Sequence, residues 1–149
     1  MSSLEQLKQW FHSHKEEIRK DLFAFLRFAS ISADPACSDA MRSCANWLVQ
    51  YLNDHCNVQA ELIETSSYPI VFAQDLRANH GAKTLLAYGH YDVQSPAPLE
   101  SWKSGPFEPE KRDDNLYARG ASDMKGQTLA SVNAVEAIIQ TTDMPLNIK

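Results

Sequence analysis

The pentapeptide at 84–88 (Thr-Leu-Leu-Ala-Tyr), closed by Gly89, constrains the fold more than any other stretch. An almost unbroken apolar run of that length reads as a β-strand buried on both faces, inside a sheet covered by helices. Other strand signals surround it. Residues 58–63 alternate apolar and polar side chains, residues 69–74 are short and β-branched, and Asn79-His80-Gly81 marks a turn before the buried run. Helical spacing appears on either side. Leu4, Leu7, Phe11, Ile18, Leu22, Phe25 and Leu26 predict a helix over 4–28, capped by Ser2 or Ser3 with Glu5 or Gln6 in the capping-box position. Met41, Ala45, Leu48, Val49 and Leu52 predict a second helix over 38–54. Leu129, Val132, Val135, Ala137 and Ile138 predict a third over 125–140, with a strand opening near Leu146. Strands that alternate with helices give an α/β class: a parallel or mixed sheet flanked by helices.

Charge and composition exclude several function classes. Apolar residues make up 44% and charged residues 22%, the balance of a globular chain. The net charge is −5, with no basic stripe to neutralise phosphates, so nucleic acid is not an expected partner. No run approaches a bilayer span, and residues 1–20 carry no apolar signal core, so neither a membrane nor an export signal is expected. Cys37, Cys44 and Cys56 are odd in number and form no C-x-x-C pair, which fits a reducing, cytoplasmic compartment and small core or surface residues.

Two short motifs carry chemistry. The first, Gly89-His90-Tyr91-Asp92-Val93, follows the apolar strand directly. Ligands of open α/β sheets bind beyond the carboxyl ends of strands. Imidazole is a good metal ligand, and its second nitrogen is commonly oriented by a carboxylate. Asp92, two residues on, points to the same side of an extended chain as His90. Read alone, the pair also suits a solvated histidine and a loop-capping aspartate. The second motif, Tyr117-Ala-Arg-Gly-Ala-Ser-Asp-Met-Lys-Gly126, joins a strand at 116–118 to the third helix. Ser122 or Asp123 suits a helix cap. Asp123 equally suits a carboxylate that bridges two cations, with Gly120 and Gly126 turning the backbone around it. Arg119 suits a carboxylate near such a site or an ordinary ion pair. Trp102 and Phe107 suit packing of the long loop over 95–109. His12, His14, His55 and His80 suit solvent-exposed positions.

Taken in order, Gly-His-Tyr-Asp-Val-Gln94, then Trp102, Pro106 and Phe107, then Leu116 through Gly126, the chain resembles the dinuclear zinc peptidase family. That family includes carnosine-type dipeptidases, aminoacylases, acetylornithine deacetylase and succinyl-diaminopimelate desuccinylase, and the pattern looks nearest to its dipeptidase branch. The resemblance is tight over 84–140. It implies that His90 ligates one zinc, that Asp123 bridges two, and that Asp92 is a catalytic-site carboxylate orienting His90. It also implies Zn²⁺ as cofactor, two per intact site, with Co²⁺ or Mn²⁺ as substitutes, and a cis peptide bond after Asp123. The implied substrate is a dipeptide or N-acyl amino acid, and the intact protein is implied to form a homodimer. On this reading residues 1–149 are the N-terminal part of the catalytic domain. The general-base glutamate, the remaining ligands and a lid and dimerisation domain are expected to lie beyond Lys149, so the chain is expected to be inactive alone. A different class also fits: a non-catalytic binding or interaction remnant, whose strand at 146–149 would leave an exposed apolar edge.

Overall fold

The computed structural model describes residues 3–149. Helix α1 spans Ser3–Leu26, α2 Ser38–Cys56 and α3 Lys125–Thr141. Strands β1 (Gln59–Ile63), β2 (Ile70–Gln74), β3 (Thr84–Leu85), β4 (Glu110–Arg112), β5 (Asn115–Tyr117) and β6 (Asn147–Ile148) complete the chain. The three helices, β1 and β2 lie where periodicity predicts them, within a few residues. Of the two cap candidates, Ser3 already begins α1 and Ser2 lies outside the described residues.

β1 and β2 form an antiparallel hairpin with Leu62 opposite Val71 and Ala60 opposite Ala73. β6 runs parallel to β3. The two pairs join through Asp75 and Ile148, whose backbones exchange hydrogen bonds of 2.9 Å in both directions. The resulting mixed sheet has the order β1-β2-β6-β3. A separate hairpin, β4–β5, turns at Asp113, whose φ of 53° is a left-handed turn position. β4 carries no apolar alternation, and sequence periodicity does not reveal it.

The core lies between the helices and the inner face of β2. Phe25, Cys44, Leu48, Tyr51 and Leu129 are buried there, with Trp47, Val71, Tyr91 and Val132 packed against them. Phe25, Trp47 and Tyr51 stack successively, at 5.2 and 4.9 Å between ring centroids. Such offset stacks add about 0.5–1.5 kcal/mol each to the burial of the rings.

Two expectations are corrected. The α1 stripe holds at Phe25 and Leu26, which are buried, but differs toward the N-terminus: Leu4 and Phe11 are exposed, and Trp10 is buried. Trp10 donates its indole N–H to Gln140 Oε1 at 2.8 Å, so contact with α3 sets the buried face. The run at 84–88 is not covered on both faces. Leu85, Leu86 and Tyr88 are 53%, 74% and 81% exposed. Among the described residues β3 packs chiefly against β6, and no helix lies closely on it. His55 is also not fully exposed, since its Nδ1 lies 3.1 Å from the buried Glu136 carboxylate. His14 stacks on Trp10.

Candidate metal centre

His90 is placed by the strand that precedes it and by the loop that follows. Ser30 and Ser32, in the connection after α1, hold that loop. The Val93 N–H donates to Ser30 O at 2.8 Å, Ser30 Oγ donates to Tyr91 O at 2.6 Å, and Ser32 Oγ donates to Asp92 Oδ2 at 2.5 Å. Tyr91 points inward and donates its hydroxyl to Pro69 O at 2.6 Å. The alternation of an extended chain therefore buries Tyr91 and leaves His90 and Asp92 on the open side.

The three residues singled out from sequence meet. His90 Nδ1 lies 2.9 Å from Asp92 Oδ1, and His90 Nε2 lies 3.2 Å from Asp123 Oδ1. A carboxylate on Nδ1 favours the proton there and frees the Nε2 lone pair. The Asp123 side chain is 79% exposed. It forms no helix cap: the residue before α3 is Met124, which has no side-chain capping bond. The Asp123–Met124 peptide is cis, as the family resemblance implies. Gly120 turns the chain at φ +86°, and a Cβ on Gly126 would collide with the Ala121 carbonyl oxygen.

Lys125 anchors this turn from below. Its side chain is fully buried, and Nζ donates to Phe25 O at 3.0 Å and Phe28 O at 2.8 Å, both at the C-terminal end of α1. Carbonyls at a helix C-terminus lack intrahelical donors, so an ammonium is a natural partner. Burial pushes the lysine pKa down to about 8, against the opposing pull of Cys44 and Asp92. Sequence reasoning passed over Lys125, Ser30 and Ser32. Only Lys125 carried a signal: a cation in the first turn of a helix opposes the macrodipole and needs another partner. Arg119 finds no carboxylate. Its Nη2 donates to Ser95 O at 3.1 Å and its guanidinium lies 5.4 Å over Trp102, whose indole N–H holds Pro96 O at 2.8 Å. These contacts pack the long loop.

The donor set suits a divalent cation. Two ligands of a tetrahedral zinc, at bonds of about 2.0–2.2 Å, stand roughly 3.3 Å apart. The 3.2 Å between His90 Nε2 and Asp123 Oδ1 matches that spacing. Among the described residues no group of three or more His, Cys, Asp or Glu side chains converges.

The chain is thus a helix-flanked mixed sheet with imidazole and carboxylate side chains beyond a strand end. Residues 86–149 match Peptidase family M20/M25/M40. Over 67 residues it is 48% identical to a succinyl-diaminopimelate desuccinylase of Xylella fastidiosa (strain M12), covering 44% of this chain and 18% of that protein. A succinyl-diaminopimelate desuccinylase of Acidovorax ebreus (strain TPSY) is 45% identical over 73 residues, covering 49% and 19%. Among solved structures, human carnosine dipeptidase 1 superposes with a TM-score of 0.87 at 26% identity, over 99% of this chain and 34% of that one. An M20 family metallo-carboxypeptidase from Sulfolobus solfataricus gives 0.79 at 34% identity, over 89% and 29%. The chain thus spans less than a fifth of the curated relatives and about a third of the solved ones.

Proposed function

We propose that this chain supplies the first metal ligands of a hydrolase that cleaves the amide bond of a dipeptide or an N-acyl amino acid. The 3.2 Å approach of His90 Nε2 to Asp123 Oδ1 carries the reading. His90 and Asp123 would hold the metal, taken to be Zn²⁺, and Asp123 would serve both ions of the intact site. Asp92 acts through His90 as a positioning carboxylate: it fixes the tautomer and the ring plane, and Ser32 in turn fixes Asp92. When bound, such a metal supplies Lewis-acid polarisation of the carbonyl and an acidified water. The chain's own contribution is placement, because the Ser30–Ser32 clamp and the Lys125 anchor hold donors from two distant segments on one side of the sheet.

The family relatives support both substrate types, since a desuccinylase removes an acyl group and a dipeptidase splits a peptide. Residues 1–149 on this reading are the N-terminal part of a catalytic domain, in a cytoplasmic protein that forms a homodimer when intact. With no group of three or more ligating side chains among the described residues, the isolated chain is expected to bind metal weakly and to turn over no substrate. Those same two donors also suit a second reading, a binding module without catalysis.

Cobalt titration followed by visible absorption tests the assignment. The parent chain is expected to give a Co²⁺ spectrum that His90→Ala and Asp123→Ala each lose. Unchanged spectra in both variants would overturn the ligand assignment. Robust hydrolysis of dipeptides or N-acyl amino acids by the parent chain with Zn²⁺ or Co²⁺ would refute its inactivity alone.

A further inference from the structure

The β4–β5 hairpin and the long loop before it enclose a cleft. Glu110 pairs with Tyr117 and Arg112 with Asn115, so Glu110, Arg112 and Tyr117 share one face of the hairpin. That face and the loop at 96–103 bound a cavity of about 470 Å³, a size suited to a small molecule. Its wall is apolar at Pro96, Pro98 and Trp102 and cationic at Lys103, Arg112 and Arg119, and no carboxylate is among its lining residues.

Both guanidinium groups are held in place by rings. Arg112 Cζ lies 3.7 Å from the Tyr117 ring centroid, and Arg119 Cζ lies 5.4 Å from that of Trp102. Arg119 is tied further by its bond to Ser95 O. Side chains fixed in this way lose little freedom when a ligand arrives. Their donors are nevertheless largely unspent. The Nε of each arginine is buried with no hydrogen-bond partner. Glu110 Oε2 stands 3.4 Å from Arg112 Nε, outside hydrogen-bonding geometry. Charged donors withdrawn from water without an acceptor are costly, and a bound oxyanion offsets that cost.

The arrangement also selects among oxyanions. Lys103 comes from the loop, Arg112 from β4 and Arg119 from the turn before α3. A carboxylate is planar and carries a single charge. A phosphoryl group carries about −1.5 to −2 charges and accepts from several directions through its three oxygens. We propose that the cleft binds the phosphoryl group of a small phosphate monoester, with the organic part against Pro96, Pro98 and Trp102. Every donor lies between residues 95 and 119, so the site is complete within that stretch and holds whether or not the chain takes a metal.

The test titrates the full chain with phenyl phosphate at constant ionic strength, read by isothermal calorimetry and by backbone amide shifts in NMR spectra. Inorganic phosphate and benzoate are the comparators. Saturable binding is expected, with shifts centred on Lys103, Arg112 and Arg119 and with weaker binding of both comparators. Arg112→Gln and Arg119→Gln should each weaken binding about tenfold or more, the loss of a charge-assisted pair. Lys103→Gln should weaken it about threefold; Lys103 is exposed, so this variant keeps the test valid if an arginine variant fails to fold. No binding up to millimolar phenyl phosphate overturns the proposal. So do shifts centred elsewhere, or an affinity unchanged in Lys103→Gln and in the folded arginine variants. Benzoate bound as tightly as the ester overturns it in favour of a carboxylate site. Inorganic phosphate bound as tightly as the ester overturns the part given to Pro96, Pro98 and Trp102. A concentration-dependent dimer that shifts the same amides without ligand overturns it in favour of an acidic side chain from a second copy.

Discussion

Gly89→Ala tests how closely the strand that carries His90 lies on α3. A Cβ on Gly89 would stand 2.5 Å from Thr128 Oγ1 and 3.1 Å from its Cγ2. That is about 0.9 Å inside an ordinary 3.4 Å contact. Thr128 is β-branched and confined to few helical rotamers, so it has little freedom to withdraw. Overpacking of this kind costs about 1–3 kcal/mol. Thr128→Ala alone should be nearly neutral, since Thr128 Oγ1 is buried without a hydrogen-bond partner. Gly89→Ala with Thr128→Ala should recover most of the loss, a coupling of about 1–2 kcal/mol in a double-mutant cycle. Urea unfolding measures all four proteins, with a common slope expected. Cobalt affinity should follow the same order, because the displaced strand carries His90 away from Asp123. A Gly89→Ala cost below about 0.5 kcal/mol, or additive single effects, would refute the close-approach argument.

Other outcomes follow from neighbouring contacts. Asp92→Asn should lower metal affinity about 10–100-fold by isothermal titration while leaving the fold unchanged, as loss of a group oriented through His90 does. Lys125→Ala should cost about 3 kcal/mol or more in urea unfolding, because it opens a cavity and leaves Phe25 O and Phe28 O without their donor; Lys125→Met, which refills the space, should cost less. Burial, reinforced by Glu136, pushes the Cys56 thiol up to about 12 from 9.0. The unfolded chain therefore releases that proton first, so stability is full below about pH 9 and falls above it, by at most about 1.4 kcal/mol per pH unit from this group. Cys56→Ala should flatten the alkaline limb of Tm against pH, and an identical limb would dismiss the assignment.

The sequence showed most of the architecture and singled out three residues that the structure brings together, for separable reasons. Helices α2 and α3 announce themselves because their buried faces repeat at helical spacing. The meeting of His90 with Asp123 was legible only through the combined motif, since neither H-x-D nor a pre-helical aspartate points to chemistry alone. What escaped was set by tertiary contact. Trp10 is buried because Gln140 lies across from it, and no periodicity within α1 shows that. Ser30 and Ser32 read as loop residues until the loop is seen bonded to Tyr91 and Asp92. The exposure of Leu86 and Tyr88 follows from how little packs on the faces of this segment, a property of tertiary contact and not of composition.

The central position of β6 has a consequence for the order of assembly. The β1–β2 hairpin closes a short connection and can form as soon as it is synthesised. The strand that joins this hairpin to β3 comes from residues 147–148, and α1 gains its indole bond only when Gln140 is present. Loop-closure entropy rises only slowly with length, so the delay is one of availability more than of energy. On a ribosome the first hundred residues would wait as a helix pair and a hairpin with apolar flanks uncovered, until residues 140–148 close the helical layer and the sheet together. Such a chain is most in need of a holding chaperone before residues 140–148 emerge, and a pause introduced early in its synthesis should matter less than one placed near residue 140.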